Sequence, residues 1–451
     1  MSNTAAYPSL SITENSKNQT TAEKFAGVFI AIGVLALIAA LSGAGKEYPL
    51  LFMIIISAMF VTGAVLYALP YYKGPAGIRN NGIMFKSMSN RGIIAWTLAM
   101  VLTGFYIIIY WYPWMFGGLI RIFDPLSKLL SGKPADQWFM YGSFYTLAVI
   151  TMGIRFIGKN RNSRYHIIRT FSVMFFQTGF AFLIPMFLKK LNEPEFYFSY
   201  FWPLKYSYLF PSDVSSLMSS GHLGVFMVFW GAMMTFIATP FLSYKYGKRW
   251  YCSWVCGCGG LAETAGDPYR HLSDKSLKAW KIERWMVHSV LVFITITTVL
   301  LWLNSYYNGG VLGSVSGAFA QWYGFFIGAV FSGVIGVGFY PIMGSRVWCR
   351  FGCPMAAVLG IFQRFKSRFR ITTNGGQCIS CGNCSTHCEM GIDVRWYAQR
   401  QQNIVRSSCV GCGICASVCP RGVLKLENGK EEGRINDKPI TIGNNNITVH
   451  L

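Results

Sequence analysis

The chain has 451 residues, 53% of them hydrophobic, 16% aromatic and only 13% charged, where soluble domains average about 25% charged. That composition excludes an ordinary water-soluble enzyme. Forty basic residues against 18 acidic ones give a formal charge of +22; in a soluble protein this would point to nucleic acid, but here the basic residues flank apolar runs, so topology accounts for them and no nucleic-acid partner is expected.

Residues 1–24 are polar and read as a cytoplasmic N-terminal tail; so long a polar start argues against a cleaved signal peptide. Crossing a hydrocarbon core takes about 20 apolar residues. Runs of that length fall at 25–44, 50–70, 92–112, 138–157, 171–188, 223–243, 286–303 and 322–343, which predicts eight spans. Segments on the side of the N-terminal tail, from Lys73, Arg79, Lys86 and Arg91 to Arg346–Arg370, carry 23 Lys and Arg, against 7 on the other side. Positive charge stays inside, so both termini are expected in the cytoplasm.

Of the outer loops, 113–137 contains an amphipathic stretch expected to lie in the interface plane, and 189–222 is aromatic-rich, as an interfacial belt would be. Neither is large enough for a separate cofactor domain. Within the spans, Gln177 is the clearest polar residue, suited to a helix–helix hydrogen bond or a functional role. His222 and His288 fall at opposite membrane edges, too far apart to clamp one haem; Gly324 and Gly328 through Gly338 read as close-packing positions in span eight.

After span six the chain reads Gly247-Lys-Arg249-Trp-Tyr-Cys252-Ser-Trp-Val-Cys256-Gly257-Cys258. After span eight it reads Gly344-Ser-Arg346-Val-Trp-Cys349-Arg-Phe-Gly-Cys353-Pro354. At an offset of 97 residues the two align as G-x-R-x-aromatic-C-x3-C, each following a membrane hairpin. This predicts one unit present twice, over 171–260 and 286–360 within 171–370, with spans one to four (25–170) outside it. Cys252, Cys256, Cys349 and Cys353 would then meet at the membrane surface as a further cluster, a metal site or a redox dithiol. Cys258 faces Met355 in the alignment and is a spare ligand or a small packing residue.

The last cysteines form the strongest pattern. Cys378, Cys381, Cys384 and Cys388, then Cys409, Cys412, Cys415 and Cys419 followed by Pro420, write C-x2-C-x2-C-x3-C twice. Thiolates at this spacing form the bacterial two-cluster ferredoxin run, in which the fourth cysteine of each run serves the other cluster. Cys378, Cys381, Cys384 and Cys419 are therefore assigned to one [4Fe–4S] cluster, and Cys409, Cys412, Cys415 and Cys388 to the second. Glu389 stands where the motif usually has proline. Clusters need a reducing compartment, which agrees with a cytoplasmic C-terminus. The fold class expected is mainly α: a polytopic membrane helix bundle of about eight spans with a small C-terminal α+β two-cluster ferredoxin domain at 371–427, a short strand over 423–426, and a polar tail at 428–451.

Over roughly 171–425 the combination of paired membrane cysteines and a double-cluster ferredoxin resembles the membrane polyferredoxins of the NapH/NosR type, whose hallmark is two C-x3-C-P motifs. Cys349-Arg-Phe-Gly-Cys353-Pro354 fits that motif; Cys252-Ser-Trp-Val-Cys256-Gly257 departs from it. The outer flavin domain of NosR-like members is missing, and NapH-like members have about half this number of spans. The resemblance implies electron transfer at the bacterial cytoplasmic membrane, from quinol towards a partner redox enzyme, with quinone as the diffusible substrate. A related branch implies a different role, copper reduction or handling during maturation of a respiratory enzyme.

Overall fold

The computed structural model describes residues 20–73, 86–313, 315–429, 440–442 and 447–449. The expected tail over 1–19, Arg79 and most of the tail 428–451 lie outside the described residues. Among the described residues, eight helices are long and apolar enough to cross a membrane: Thr21–Leu41, Pro49–Pro70, Ile93–Trp111, Gln137–Lys159, Arg164–Lys190, His222–Tyr246, Leu277–Tyr306 and Val315–Ile335. They are spans one to eight below. Their outward side chains are apolar, as Leu35, Met100 and Phe236 show at 65%, 71% and 68% exposure; lipid, not water, suits such a surface.

Spans five, seven and eight differ most from their sequence-based limits, span five beginning at Arg164 rather than 171 and span eight at Val315 rather than 322. Span seven begins at Leu277, well before 286, because Ser276 caps it by accepting from the Ala279 N–H (3.1 Å). The added turns carry Lys278, Lys281 and Arg284 towards the ferredoxin side. Span eight ends at Ile335, short of 343, just before Gly336-Val-Gly338. Of the glycines expected to pack closely, the later ones do and the first two do not. A Cβ on Gly333 would stand 2.8 Å from the Tyr106 ring and one on Gly338 2.5 Å from Thr103 Oγ1, whereas Gly324 and Gly328 face open space.

The amphipathic stretch after span three folds as the short helices Gly117–Ile122 and Asp124–Ser131. It tucks inward: Leu119 and Ile122 are buried in a core with Ala40 of span one and Ile56 of span two. The aromatic loop before span six is likewise packed, with Phe201 and Tyr208 buried.

The ferredoxin segment is closed by strand β1, Arg370–Thr373, paired antiparallel with β2, Leu424–Glu427, in the register Arg370 to Glu427. Two matched turns of helix, Asn383–Thr386 and Ile414–Ser417, follow Gly382 and Gly413, whose φ angles of +79° and +80° are left-handed. In the tail, β3 Ile440–Ile442 pairs with β4 Ile447–Val449 as a separate antiparallel ribbon.

Candidate functional site: three groups of cysteines and a buried ion network

The run of eight cysteines folds into two quartets. Cys378, Cys381, Cys384 and Cys419 line one small cavity, and Cys388, Cys409, Cys412 and Cys415 line another. The partition crosses between the runs, as the spacing predicts. Sulfurs sharing one zinc ion sit within about 4 Å of each other, given a metal–sulfur bond of about 2.3 Å. Among the described residues no three His, Cys, Asp or Glu are grouped for a single ion. Four thiolate donors around each cavity fit a [4Fe–4S] group. Backbone amides supplement them: the Ile392 N–H points at Cys388 Sγ (3.4 Å) and the Val423 N–H at Cys419 Sγ (3.3 Å).

The two quartets differ in setting. The first lies at the surface, beside Ile379 at 46% exposure. The second is turned into the protein. Its loop 409–412 is held by the membrane-side chain at each carbonyl in turn: Gln363 Nε2 donates to Cys409 O (2.7 Å), Ser253 Oγ to Val410 O (2.6 Å), the Tyr165 hydroxyl to Gly411 O (2.7 Å) and Arg169 Nη1 to Cys412 O (2.6 Å). Gln363 also accepts from the Lys248 N–H (2.7 Å), so one amide joins both repeat units to the ferredoxin.

The repeat predicted from sequence has a structural counterpart. Cys252 ends the short helix Arg249–Cys252 and Cys256 is the N-cap of Gly257–Thr264; Cys349 lies in Val347–Phe351 and Cys353 is the N-cap of Pro354–Phe365. Cys252, Cys349 and Cys353 are buried, and all four belong to one core with the ferredoxin cysteines. They feel one another electrostatically. Burial pushes the Cys252 thiol up to about 12, with Cys256 and Cys349 adding to the rise, and pushes Cys353 well above its ordinary value, with Cys349, Cys252 and Cys256 adding. A hydrogen bond with Cys258 works the other way on Cys256, holding its thiol down at about 7 while Cys258 keeps the proton. Cys258 thus sits beside Cys256 and also feels Cys349 and Cys353.

Gly257 also finds its reason. A Cβ there would lie 2.6 Å from Gln177 Oε1 and 3.7 Å from the Tyr145 ring. Proline, which stands at the matching position 354, would require Gln177 to shift. Gln177 itself donates from Nε2 to Thr146 Oγ1 (3.2 Å), linking spans four and five.

What the sequence did not reveal is a buried ion network between these cysteines. Glu263 accepts from Arg169 (2.5 Å), Arg270 (2.7 Å) and Arg346 (3.3 Å). Asp267 accepts from Lys159 (2.7 Å), Arg270 (2.9 Å) and Arg155 (3.3 Å). Glu389 accepts from Arg270 (2.8 Å) and Arg346 (2.9 Å). Every one of these side chains is buried. Burial alone would raise the Glu263 carboxyl, but Arg169, Arg270 and Arg346 hold it down at about 2. Asp267 is likewise held well below the carboxylate range by Lys159, Arg270 and Arg155 against the effect of burial. Five cations face three carboxylates, a surplus of two positive charges beside the thiol groups. Arg346 Nη1 also reaches Cys349 Sγ (3.9 Å) and Cys252 O (3.3 Å). The one signal in the sequence was Glu389 itself, the residue standing in place of the motif's proline.

The comparisons with known proteins agree with this geometry. A model described as a 4Fe-4S dicluster domain matches residues 370–420. A model described as a 4Fe-4S binding domain matches twice, over 226–277 and 323–372, the two matches starting 97 residues apart. The protein of Escherichia coli (strain K12) named "Putative electron transport protein YccM" is 28% identical over 173 residues, which is 36% of this chain and 47% of that protein. An uncharacterized protein of Methanocaldococcus jannaschii, MJ0749, is 25% identical over 152 residues, 32% of this chain and 53% of that one. The chain thus spans about half the length of each of these curated relatives. No solved structure matches. The ferredoxin segment and both C-x3-C units therefore fall within matches to 4Fe-4S binding domains, on a chain with eight apolar helices long enough to cross a membrane.

Proposed function

We propose that the chain is a membrane electron-transfer protein of the NapH/NosR type, exchanging electrons between a membrane quinone and [4Fe–4S] groups on the cytoplasmic face for a partner redox enzyme. The observation that carries this reading is the pair of four-cysteine cavities, one at the surface and one locked against the membrane unit. Cys378, Cys381, Cys384 and Cys419 would hold one group, and Cys388, Cys409, Cys412 and Cys415 the other. Bound there, each would supply one-electron oxidation and reduction. The chain's own part is order. Ser253, Tyr165, Arg169 and Gln363 fix the inner quartet next to the C-x3-C loops, while the outer quartet meets solvent near Ile379, where a soluble partner has access.

Cys252, Cys256, Cys349 and Cys353 are the third station in this scheme, a ligand set contributed equally by the two repeat units. Burial disfavours thiolate at Cys252, Cys349 and Cys353 unless a positive centre binds them, whereas the hydrogen bond from Cys258 already favours it at Cys256. For quinone, an apolar cavity of about 460 Å3 lies between spans one, two and four, with Ser57, Ser143 and Thr146 as its polar points. Thr146 is bonded to Gln177, which abuts Gly257 between Cys256 and Cys258. A quinone head at Thr146 would stand one side chain from the paired cysteines.

The division into tail (1–24), added spans (25–170), duplicated unit (171–370), ferredoxin (371–427) and polar tail (428–451) belongs to this proposal. So does placement in a bacterial cytoplasmic membrane with both termini inside, supported by the loop charges. The test is anaerobic reconstitution in nanodiscs. A reduced quinone analogue should bleach iron–sulfur absorbance; intact clusters that neither bleach nor recover with quinol and quinone would overturn the reading. Iron counting settles the third station: about eight per chain for the two quartets alone, about twelve if the paired cysteines hold another cluster.

A further inference from the structure

On the ferredoxin side of the spans a cavity of about 850 Å3 opens between span seven, the helix Pro354–Phe365 and the ferredoxin loop around Arg406. One wall is a single face of span seven: Trp280, Arg284, His288, Val292 and Ile296, at steps of four residues. At a rise of 1.5 Å per residue that face covers about 24 Å, polar at the ferredoxin end and apolar towards the bilayer. Arg364 and Arg406 close the polar end from the opposite wall.

The three arginines are held in place without being neutralised. Arg284 and Arg406 lie over the Trp280 ring, 4.9 and 4.6 Å from its centre, and Arg364 Nη1 donates to Val405 O (2.9 Å). Among the described residues no carboxylate lines the cavity. Glu283, next to Arg284 in sequence, is taken by Arg350 (3.1 Å). Trp285 and Phe365, 76% and 74% exposed, flank the mouth where headgroups lie.

We propose that this cavity binds one anionic phospholipid, its phosphate among Arg284, Arg364 and Arg406 and an acyl chain along Val292, Phe293 and Ile296. Guanidinium forks match phosphate oxygens, and basic pockets between membrane helices take anionic headgroups. A neutral quinone ring would leave three cations without an acceptor, and a free phosphate would leave the apolar half of the wall uncovered. The bound lipid would touch span seven, the helix Pro354–Phe365 and the ferredoxin loop at once, and so clamp them together.

The test uses full-length protein in phosphatidylcholine nanodiscs, with brominated-chain phosphatidylglycerol titrated in as a quencher of tryptophan fluorescence. The expected result is a saturable component at low mole fraction that brominated phosphatidylcholine does not produce and that is lost when Trp280 and Trp285 are replaced by Phe. Arg284→Gln should weaken it roughly fivefold, and Arg284→Gln with Arg364→Gln further, since each basic residue near an anionic surface adds about that factor. Ile296→Trp, which blocks the chain groove and spares the arginines, should also weaken it. Unchanged iron–sulfur absorbance in each variant verifies that the protein is folded. Equal quenching by both lipids, or a curve indifferent to Arg284→Gln, would overturn the proposal. Displacement by a short-chain quinone or by millimolar inorganic phosphate would overturn it too, in favour of those ligands.

Discussion

The outer quartet, Cys378, Cys381, Cys384 and Cys419, and the inner one, Cys388, Cys409, Cys412 and Cys415, come from the same motif and sit in opposite surroundings. After the outer quartet's Cys419 comes Pro420, exposed to solvent. After the inner quartet's Cys388 comes Glu389, fully buried and gripped by Arg270 and Arg346. Ligand spacing is thus the same in both, while the residue after the crossing cysteine is exposed at one site and buried in the ion network at the other. Reduction potentials respond to net charge, hydrogen bonds to sulfur and exposure, so two sites of equal ligation here are unequal carriers.

Serine substitutions break the comparison most sharply. Cys381→Ser and Cys415→Ser should each remove about four of about eight irons, read by iron analysis, but only Cys415→Ser should also free the ferredoxin from the membrane unit, read by limited proteolysis, because the 409–412 loop carries the docking bonds. Next is the neighbour. Glu389→Pro leaves two buried arginines short of partners and should cost about 3–5 kcal/mol, whereas Pro420→Glu should cost under about 1 kcal/mol, as surface changes do; thermal melting separates them. Gly257→Ala drives a Cβ to 2.6 Å from Gln177 Oε1 and should cost about 1–3 kcal/mol by overpacking. Arg169→Gln removes a buried positive charge beside Cys412 and should lower the inner potential by some tens of millivolts, on the order of what a single charge exerts at an effective dielectric of about 20, with a smaller shift at the outer site; redox titration followed by electron paramagnetic resonance measures both.

The smallest effect is on pH. Glu263 is depressed to about 2, so its contribution to stability is present above its unfolded value of about 4.3 and lost as pH falls towards 2. Ferredoxin docking, followed by proteolysis, should therefore not change between pH 8 and 5 and should weaken below that. His387, lowered by burial to about 4, stays neutral over the same range and adds no step.

The eight spans were legible because hydropathy over twenty residues needs no tertiary information, and the assignment of Cys388 and Cys419 across the runs followed from spacing alone. The ion network was not legible. Arg155, Lys159, Arg169, Arg270 and Arg346 were counted with the topology-setting loop charges, yet the structure buries all five. Their partners lie up to 119 residues away, as Arg270 and Glu389 do, and charge pairing has no periodicity to read. The limits of spans seven and eight were missed for a related reason: a serine cap and a Gly-x-Gly break act locally, below the resolution of a hydropathy window.

The contact at Gly257 has one more consequence. A chimera in which 346–361 replaced 249–264 would keep the C-x3-C pair in register, exchange Cys258 for Met355, and bring Pro354 to a place that Gln177 must vacate. The two halves look interchangeable on paper and are not: in the first copy span five itself sets Gln177 against the glycine, tied to Thr146 of span four, while the second copy carries a proline at the matching place.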